Sequence, residues 1–246
     1  MVILRLARSS RLTLFMSVTV ASLLPLATGR TQEATPVDRR ASIAVLDFNV
    51  TPLVDPATWA PLAKGLPQMM MTELSVNPDL RLVERDRLQA VLDELKLTQS
   101  ALVDANTAQR VGKIIGAKYM LYGNTTVTPD KKLRFDLHAF EVETTLHRYD
   151  ESLVGKSEDL LELVGKLGQQ FNKHFDPKPF TAPARTSSTF GPTKEGLRLA
   201  MLLGNAVDLK DRHDFEGART LAKQALALAP TNPSAKALLL SLEQPK

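Results

Sequence analysis

The chain has 246 residues, no cysteine and a formal net charge of +4. Without cysteine there is no disulfide framework, no thiolate nucleophile, no Cys-ligated metal and no lipid anchor on an N-terminal cysteine. Arg5, Arg8 and Arg11 lie within residues 1–29, which hold no acid, so the remainder carries +1; that is too little charge for a nucleic-acid footprint, and no nucleic-acid partner is expected.

Residues 1–29 read as a secretory signal peptide: a positive start, a charge-free run over 12–26, then Ala27-Thr28-Gly29 at a cleavage position. The run is short of the roughly 20 residues that a spanning helix needs. Cleavage near Arg30 is expected, with an uncleaved anchor as the alternative. No second long apolar run follows, so no transmembrane helix is expected in the mature chain. Its expected location is the periplasm, with outer-membrane association as an option.

Residues 30–41 read as a polar leader. Ile43, Ala44, Val45, Leu46 and Phe48 make a near-continuous apolar run, the mark of a strand buried on both faces. Pro52, Pro56, Pro61 and Pro67 then argue against a long strand or helix over 50–67. A helix is expected over 67–74 and a short strand over 80–83. Asp86, with Gln89 three positions on, suggests a capped helix carrying Leu88, Val91, Leu92 and Leu95 on one face. Asn106 is the expected N-cap of the next helix, striped by Ala108, Val111, Ile114 and Ile115 and closed by Gly116. Three strands follow, over 117–126, 132–142 and 146–154. The middle one alternates Leu133, Phe135, Leu137 and Ala139 against Arg134, Asp136 and His138. Ser157 opens a last helix carrying Leu160, Leu161, Val164, Leu167 and Phe171.

The order βαβααβββα predicts an α/β fold over residues 42–176: a mixed sheet, parallel early and antiparallel late, with helices packed on it. Residues 177–193, with Pro177, Pro179, Pro183 and Pro192, read as a linker. Residues 194–246 read as a small all-α unit with helices over 194–210, 215–228 and 234–242. Leu202, Ala206, Leu209, Phe215, Ala218, Ala222, Ala225 and Pro230 resemble the spacing of a tetratricopeptide-type repeat. A single such unit needs a neighbour to stack on, so it is expected to pack on the α/β part or on another copy.

Several short motifs, in order, resemble CsgG-like domains: Ile43-Ala44-Val45-Leu46-Asp47-Phe48, then Leu82-Val83-Glu84-Arg85-Asp86-Arg87-Leu88, then Ile115-Gly116-Ala117 and Leu121-Tyr122-Gly123. The resemblance covers about residues 42–175 and implies the α/β fold just described. It also implies a role in envelope assembly or secretion, of the curli assembly and transport type. The family's pore-forming members are lipoproteins that insert β-hairpins into the outer membrane; this chain lacks the lipid-bearing cysteine. It also leaves no room for extra membrane strands of about 9–11 residues each.

Catalytic constellations are not legible. His138, His147, His174 and His213 are widely spaced; His138 and His147 could meet across a hairpin, but satisfied surface histidines are favoured over a metal site. Glu84 and Asp86 alternate with Arg85 and Arg87 at a strand-to-helix junction, which favours capping and ion pairing over acid–base work. The scattered glycines form no phosphate loop, and Ser75 and Ser157 have no triad context. Met69-Met70-Met71 is expected in the core. Trp59, the single tryptophan, sits in the proline-rich stretch as either a contact residue or an edge plug. The candidate interaction residues are Trp59, Leu202, Leu209 and Phe215. No cofactor, metal or catalytic residue is expected. The expected function is that of an exported, non-enzymatic envelope protein acting on protein partners, self-association among them. The alternatives are a subunit of an outer-membrane secretion channel and, less favoured, an envelope hydrolase or ligand-binding enzyme.

Overall fold

The computed structural model describes residues 38–175 and 194–243, except 39, 100, 101 and 103. The expected signal peptide at 1–29, nearly all of the leader and the linker at 177–193 lie outside the described residues. The described part of Arg39–Lys246 forms one compact unit. No helix among the described residues is long and apolar enough to cross a membrane.

Six strands make one sheet: β1 (Ala41–Val45), β2 (Asn49–Pro52), β3 (Leu80–Leu82), β4 (Tyr119–Val127), β5 (Lys132–Glu141) and β6 (His147–Lys156). The order is β3-β1-β4-β5-β6, with β2 also pairing β4. Pairings among β1–β4 are parallel; β4–β5 and β5–β6 are antiparallel. The mixed sheet is therefore parallel early and antiparallel late, as the sequence predicts. β1 is buried on both faces because helices cover both: Ile43 and Val45 enter one core, Ala44 and Leu46 the other.

Two short elements of four residues each lie in the proline-rich stretch, where only long ones were argued against. β2 is short and ends at Pro52, where the missing N–H interrupts no interior ladder. The one-turn helix α1 (Pro56–Trp59) has proline at its first position, where that N–H would have no partner anyway. Next, α2 (Leu62–Leu74) begins at Leu62 rather than Pro67 and runs through Pro67. An interior proline strips the hydrogen bond from the carbonyl four residues back, here Ala63. The Phe48 N–H, in the link between β1 and β2, donates to that carbonyl at 2.9 Å. Strand link and helix thus satisfy each other, and the proline is tolerated.

On one sheet face, α3 (Arg85–Glu94) and α4 (Ala105–Ile115) bury Leu88, Leu92, Ala108, Val111 and Ile115 against Ala44, Leu46, Met120, Phe140 and Val142. The stripes are those expected, but both N-caps differ. Glu84 precedes α3, and Asp86 sits inside its first turn. Gln89 reaches forward to Asp93 at 2.8 Å instead of closing a capping box. Asp104, not Asn106, caps α4: its carboxylate accepts from the Thr107 N–H at 2.8 Å. Gly116 closes α4 in the left-handed conformation (φ 69°), which favours glycine.

The other face holds α2, α5 (Leu160–Phe175) and the C-terminal helices α6 (Lys194–Asp211), α7 (Phe215–Leu228) and α8 (Pro233–Glu243). A short 3-10 turn, Ser157–Asp159, leads into α5. Met69 and Met70 are buried here and Met71 is partly buried against them. The C-terminal helices share this core: Leu199, Leu203, Ala206 and Val207 of α6 cluster with Leu62, Leu66 and Met70 of α2. The Ser234 hydroxyl donates to Thr72 Oγ1 at 2.8 Å in the buried seam.

Charges fasten the same joint. Arg85 reaches Asp47 at 2.5 Å and Asp211 at 2.8 Å; Lys64 reaches Asp208 and Asp211, each at 2.8 Å; Lys210 reaches Asp86 at 2.7 Å. Burial acts to lower the pKa of Lys64, but hydrogen bonds and charge from Asp208 and Asp211 outweigh it and leave it raised. The same contest holds Arg85 raised, with Asp47 first and Asp211 second against its burial. The motif Glu84-Arg85-Asp86-Arg87 therefore supplies ion pairs, the role its alternating charge suggests.

Candidate functional site

The described helices on the α3–α4 face leave the outer part of β5 and β6 uncovered. There the strand alternation delivers polar side chains: Arg134, Asp136 and His138 from β5, Asp150 and Ser152 from β6. At the rim of this face, where β1 ends beside the middle of β4 and the start of α4, lies a cavity of about 580 Å³. Leu46, Phe48, Leu102, Ala108, Tyr122 and Phe140 give it an apolar lining, and Asp47, Asn49, Gln99, Asn124, Thr145 and His147 add polar groups. Gly123 is required at this rim. A side chain there would come within 2.9 Å of the Phe48 ring. Gln99 accepts from the Asp47 N–H at 3.3 Å through Oε1, while its Nε2 is buried with no partner among the described residues. That amide is a donor in wait for an acceptor, set in a largely apolar wall.

His147 belongs both to this lining and to a cluster beside it. His138 Nδ1 lies 2.5 Å from Asp150 Oδ1, and His147 Nδ1 lies 3.7 Å from the same oxygen. The Tyr122 ring stacks on His138 at 5.1 Å and stands edge-on to His147 at 6.4 Å. Burial, then the charge of Asp150, raises the Tyr122 hydroxyl above its ordinary pKa. The cluster depends on a register shift. Opposite β5 the pairing runs His138 with Asp150 and Ala139 with Tyr149, then jumps so that Phe140 pairs with His147. In an unbroken strand His147 and Asp150, three apart, would point to opposite faces. The bulge turns His147 onto the face of Asp150. His138 and His147 do meet, with ring centroids 6.4 Å apart. Asp150 and Tyr122, which complete the group, carried no signal in the sequence, because only the pairing register unites them.

Asp136 gives this face an acid-sensitive point. A hydrogen bond from Arg134 holds its carboxyl below the ordinary range against a burial penalty, aided by the Ser152 hydroxyl and by the charges of Arg134 and His138. A depressed carboxylate adds stability above its unfolded pKa, near 4, and loses it as pH falls through the folded value. The urea midpoint of the protein is expected to fall more between pH 5 and pH 3 than that of Asp136→Asn. Equal falls would contradict this.

The candidate interaction residues are placed elsewhere. Trp59 is 5% exposed, in the core with Phe48 and Leu62. This corrects its reading as an exposed contact: α1 turns the ring inward. Leu202, Leu209 and Phe215 are half-buried and pack against the same core; the packing that encloses them is internal. His174 lies against Tyr149 and Phe175, and His213 sits at positive φ in the α6–α7 turn beside Phe215.

Residues 28–128 match the protein family described as curli production assembly/transport component CsgG. Solved structures similar to this chain include the LpoB C-terminal domain from Escherichia coli, at 18% identity and TM-score 0.41, covering 50% of this chain and 87% of that one. The same domain from Salmonella enterica is 17% identical at TM-score 0.39, with coverage of 50% and 87%. The lipoprotein GNA1162 from Neisseria meningitidis is 16% identical at TM-score 0.42, with coverage of 53% and 96%. Comparison with curated proteins gives no match.

Proposed function

We propose, from the premise that this chain carries a CsgG-family domain over residues 28–128, that it is an exported, non-enzymatic protein of the cell envelope. It works by binding protein partners in the periplasm, in support of assembly or secretion. The family match carries this reading, and the signal-peptide layout of residues 1–29 supports it. The rim cavity is the face for such contact. Its apolar lining suits a partner's aliphatic or aromatic side chain, and Gln99 Nε2 offers a hydrogen bond to a partner's carbonyl.

A secretion-channel subunit is the second reading, favoured by the transport role in the family's description. The connections between described strands count against it. Among the described residues the β4–β5 and β5–β6 turns are short, and the link over 95–104 joins two helices. None holds a pair of membrane strands of about 9–11 residues each. A photo-crosslinker placed at Asn49 is expected to capture an envelope protein in cells, and one at Lys223 on α7 is not. Equal capture at both positions, or none at Asn49, would overturn the assignment of this face.

A further inference from the structure

The β5–β6 face brings two imidazoles and a carboxylate to one point, and the proposed protein-binding role uses only His147 of the three, as part of the cavity lining. We propose that His138, His147 and Asp150 bind one divalent zinc-class ion.

Geometry carries the proposal. Each residue offers one ligand atom, and the three atoms lie within 4.8 Å of one another. Around a tetrahedral ion with bonds of about 2.0–2.2 Å, donor atoms stand roughly 3.4 Å apart. The His138–Asp150 contact, now 2.5 Å, must open by about 1 Å, and the His147–Asp150 contact, at 3.7 Å, must close slightly. Side-chain rotation on two facing strands has to supply both shifts and draw the two imidazole nitrogens, no farther apart than 4.8 Å, toward each other. The β-bulge, which alone puts His147 on this face, is the feature by which strands re-aim a side chain toward a site. Tyr122, stacked on His138, limits the swing of that ring.

Chemistry selects the ion. Two imidazoles with one carboxylate suit zinc, nickel or copper, whereas calcium and magnesium ask for an oxygen shell. Arg134, on the same face, is engaged by both carboxylate oxygens of Asp136 at 3.0–3.1 Å, so its charge is offset rather than set against a bound cation. His147 and Asp150 are more than half exposed, at 57% and 59% for their side chains. Three protein ligands leave a fourth position open, beside the cavity that His147 also lines. A water, or a carboxylate or imidazole from a bound partner, fits there.

Zinc alone is the probe. The untagged, metal-stripped protein is titrated with zinc chloride by calorimetry and by competition with a chromophoric chelator. One equivalent is expected to bind at micromolar or tighter Kd. His147→Ala and the isosteric Asp150→Asn are each expected to weaken it by more than tenfold. His213→Ala, on the distant α6–α7 turn, leaves it unchanged. Circular dichroism of each variant checks that the fold is retained; His147 is exposed enough for its replacement to be tolerated. No zinc binding by the parent, or a loss below tenfold in both variants, would overturn the site and leave His138–Asp150 as a cross-strand pair.

Discussion

Gly204→Ala is expected to lower the stability of this protein by about 3 kcal/mol, the upper range for an overpacked contact. At Gly204 a Cβ would stand 1.8 Å from the Pro61 carbonyl oxygen; at Gly65, on the facing helix, it would stand 2.1 Å from the Ala200 carbonyl oxygen. Both obstacles are backbone, so no rotamer change relieves them. α6 has to move off α2, which opens the packing of Leu199, Leu203 and Val207 on Leu62, Leu66 and Met70. Helix propensity acts the other way, since alanine is better than glycine in a helix interior by about 1 kcal/mol. The sign of the effect therefore decides the matter. Gly165→Ala is the control: nothing lies within 4 Å of its added Cβ, so a gain of about 0.5–1 kcal/mol is expected there. Urea unfolding at constant m-value reads both. A neutral or stabilising Gly204→Ala would mean that α6 does not rest on α2 at this distance.

The second large effect is expected from Arg85→Ala, at about 3–5 kcal/mol. Arg85 is nearly enclosed, with 9% of its side chain exposed, and it joins Asp47 and Asp211, each 13% exposed. Removing the guanidinium leaves the shielded Asp47 carboxylate without the cation that held it and takes one of two cations from Asp211, and breaking a buried pair costs far more than the intact pair contributes. Lys64 still holds Asp211, so Asp47 bears most of the loss. Arg85→Lys is expected to recover less than half, because one ammonium does not reproduce a planar fork on two carboxylates. Lys166→Ala removes an exposed pair with Glu162 and is expected to cost under about 0.5 kcal/mol. Comparable losses for Arg85→Ala and Lys166→Ala by thermal unfolding would sink the account of this joint.

Local signals predicted local structure well. The doubly buried β1, the stripes of α3 and α4, the Gly116 cap and the helix Phe215–Leu228 all rest on periodicity or on one residue's backbone preference. What the sequence concealed depends on distant partners. Pro67 argued for a helix start because the donor that takes the Ala63 carbonyl, Phe48, comes from another element. β2 forms because β4 offers it an edge. Trp59 read equally as a contact and as an edge plug, because the one-turn helix that buries it is built on Pro56 and carries no periodicity to read. The approach of Gly65 and Gly204 left no trace in composition. At the candidate site, the meeting of His138 and His147 was legible from the hairpin. Their union with Asp150 was not, since it follows from a register shift that alternation does not foresee.

The central claim, export and action through envelope protein contacts, is tested most directly by fractionating cells that express the tagged native chain, with crosslinking and N-terminal mass spectrometry. The account predicts a periplasmic species that begins near Arg30 and crosslinks to other envelope proteins. A full-length cytoplasmic species, or a membrane-embedded homo-oligomer of high mass, would contradict it.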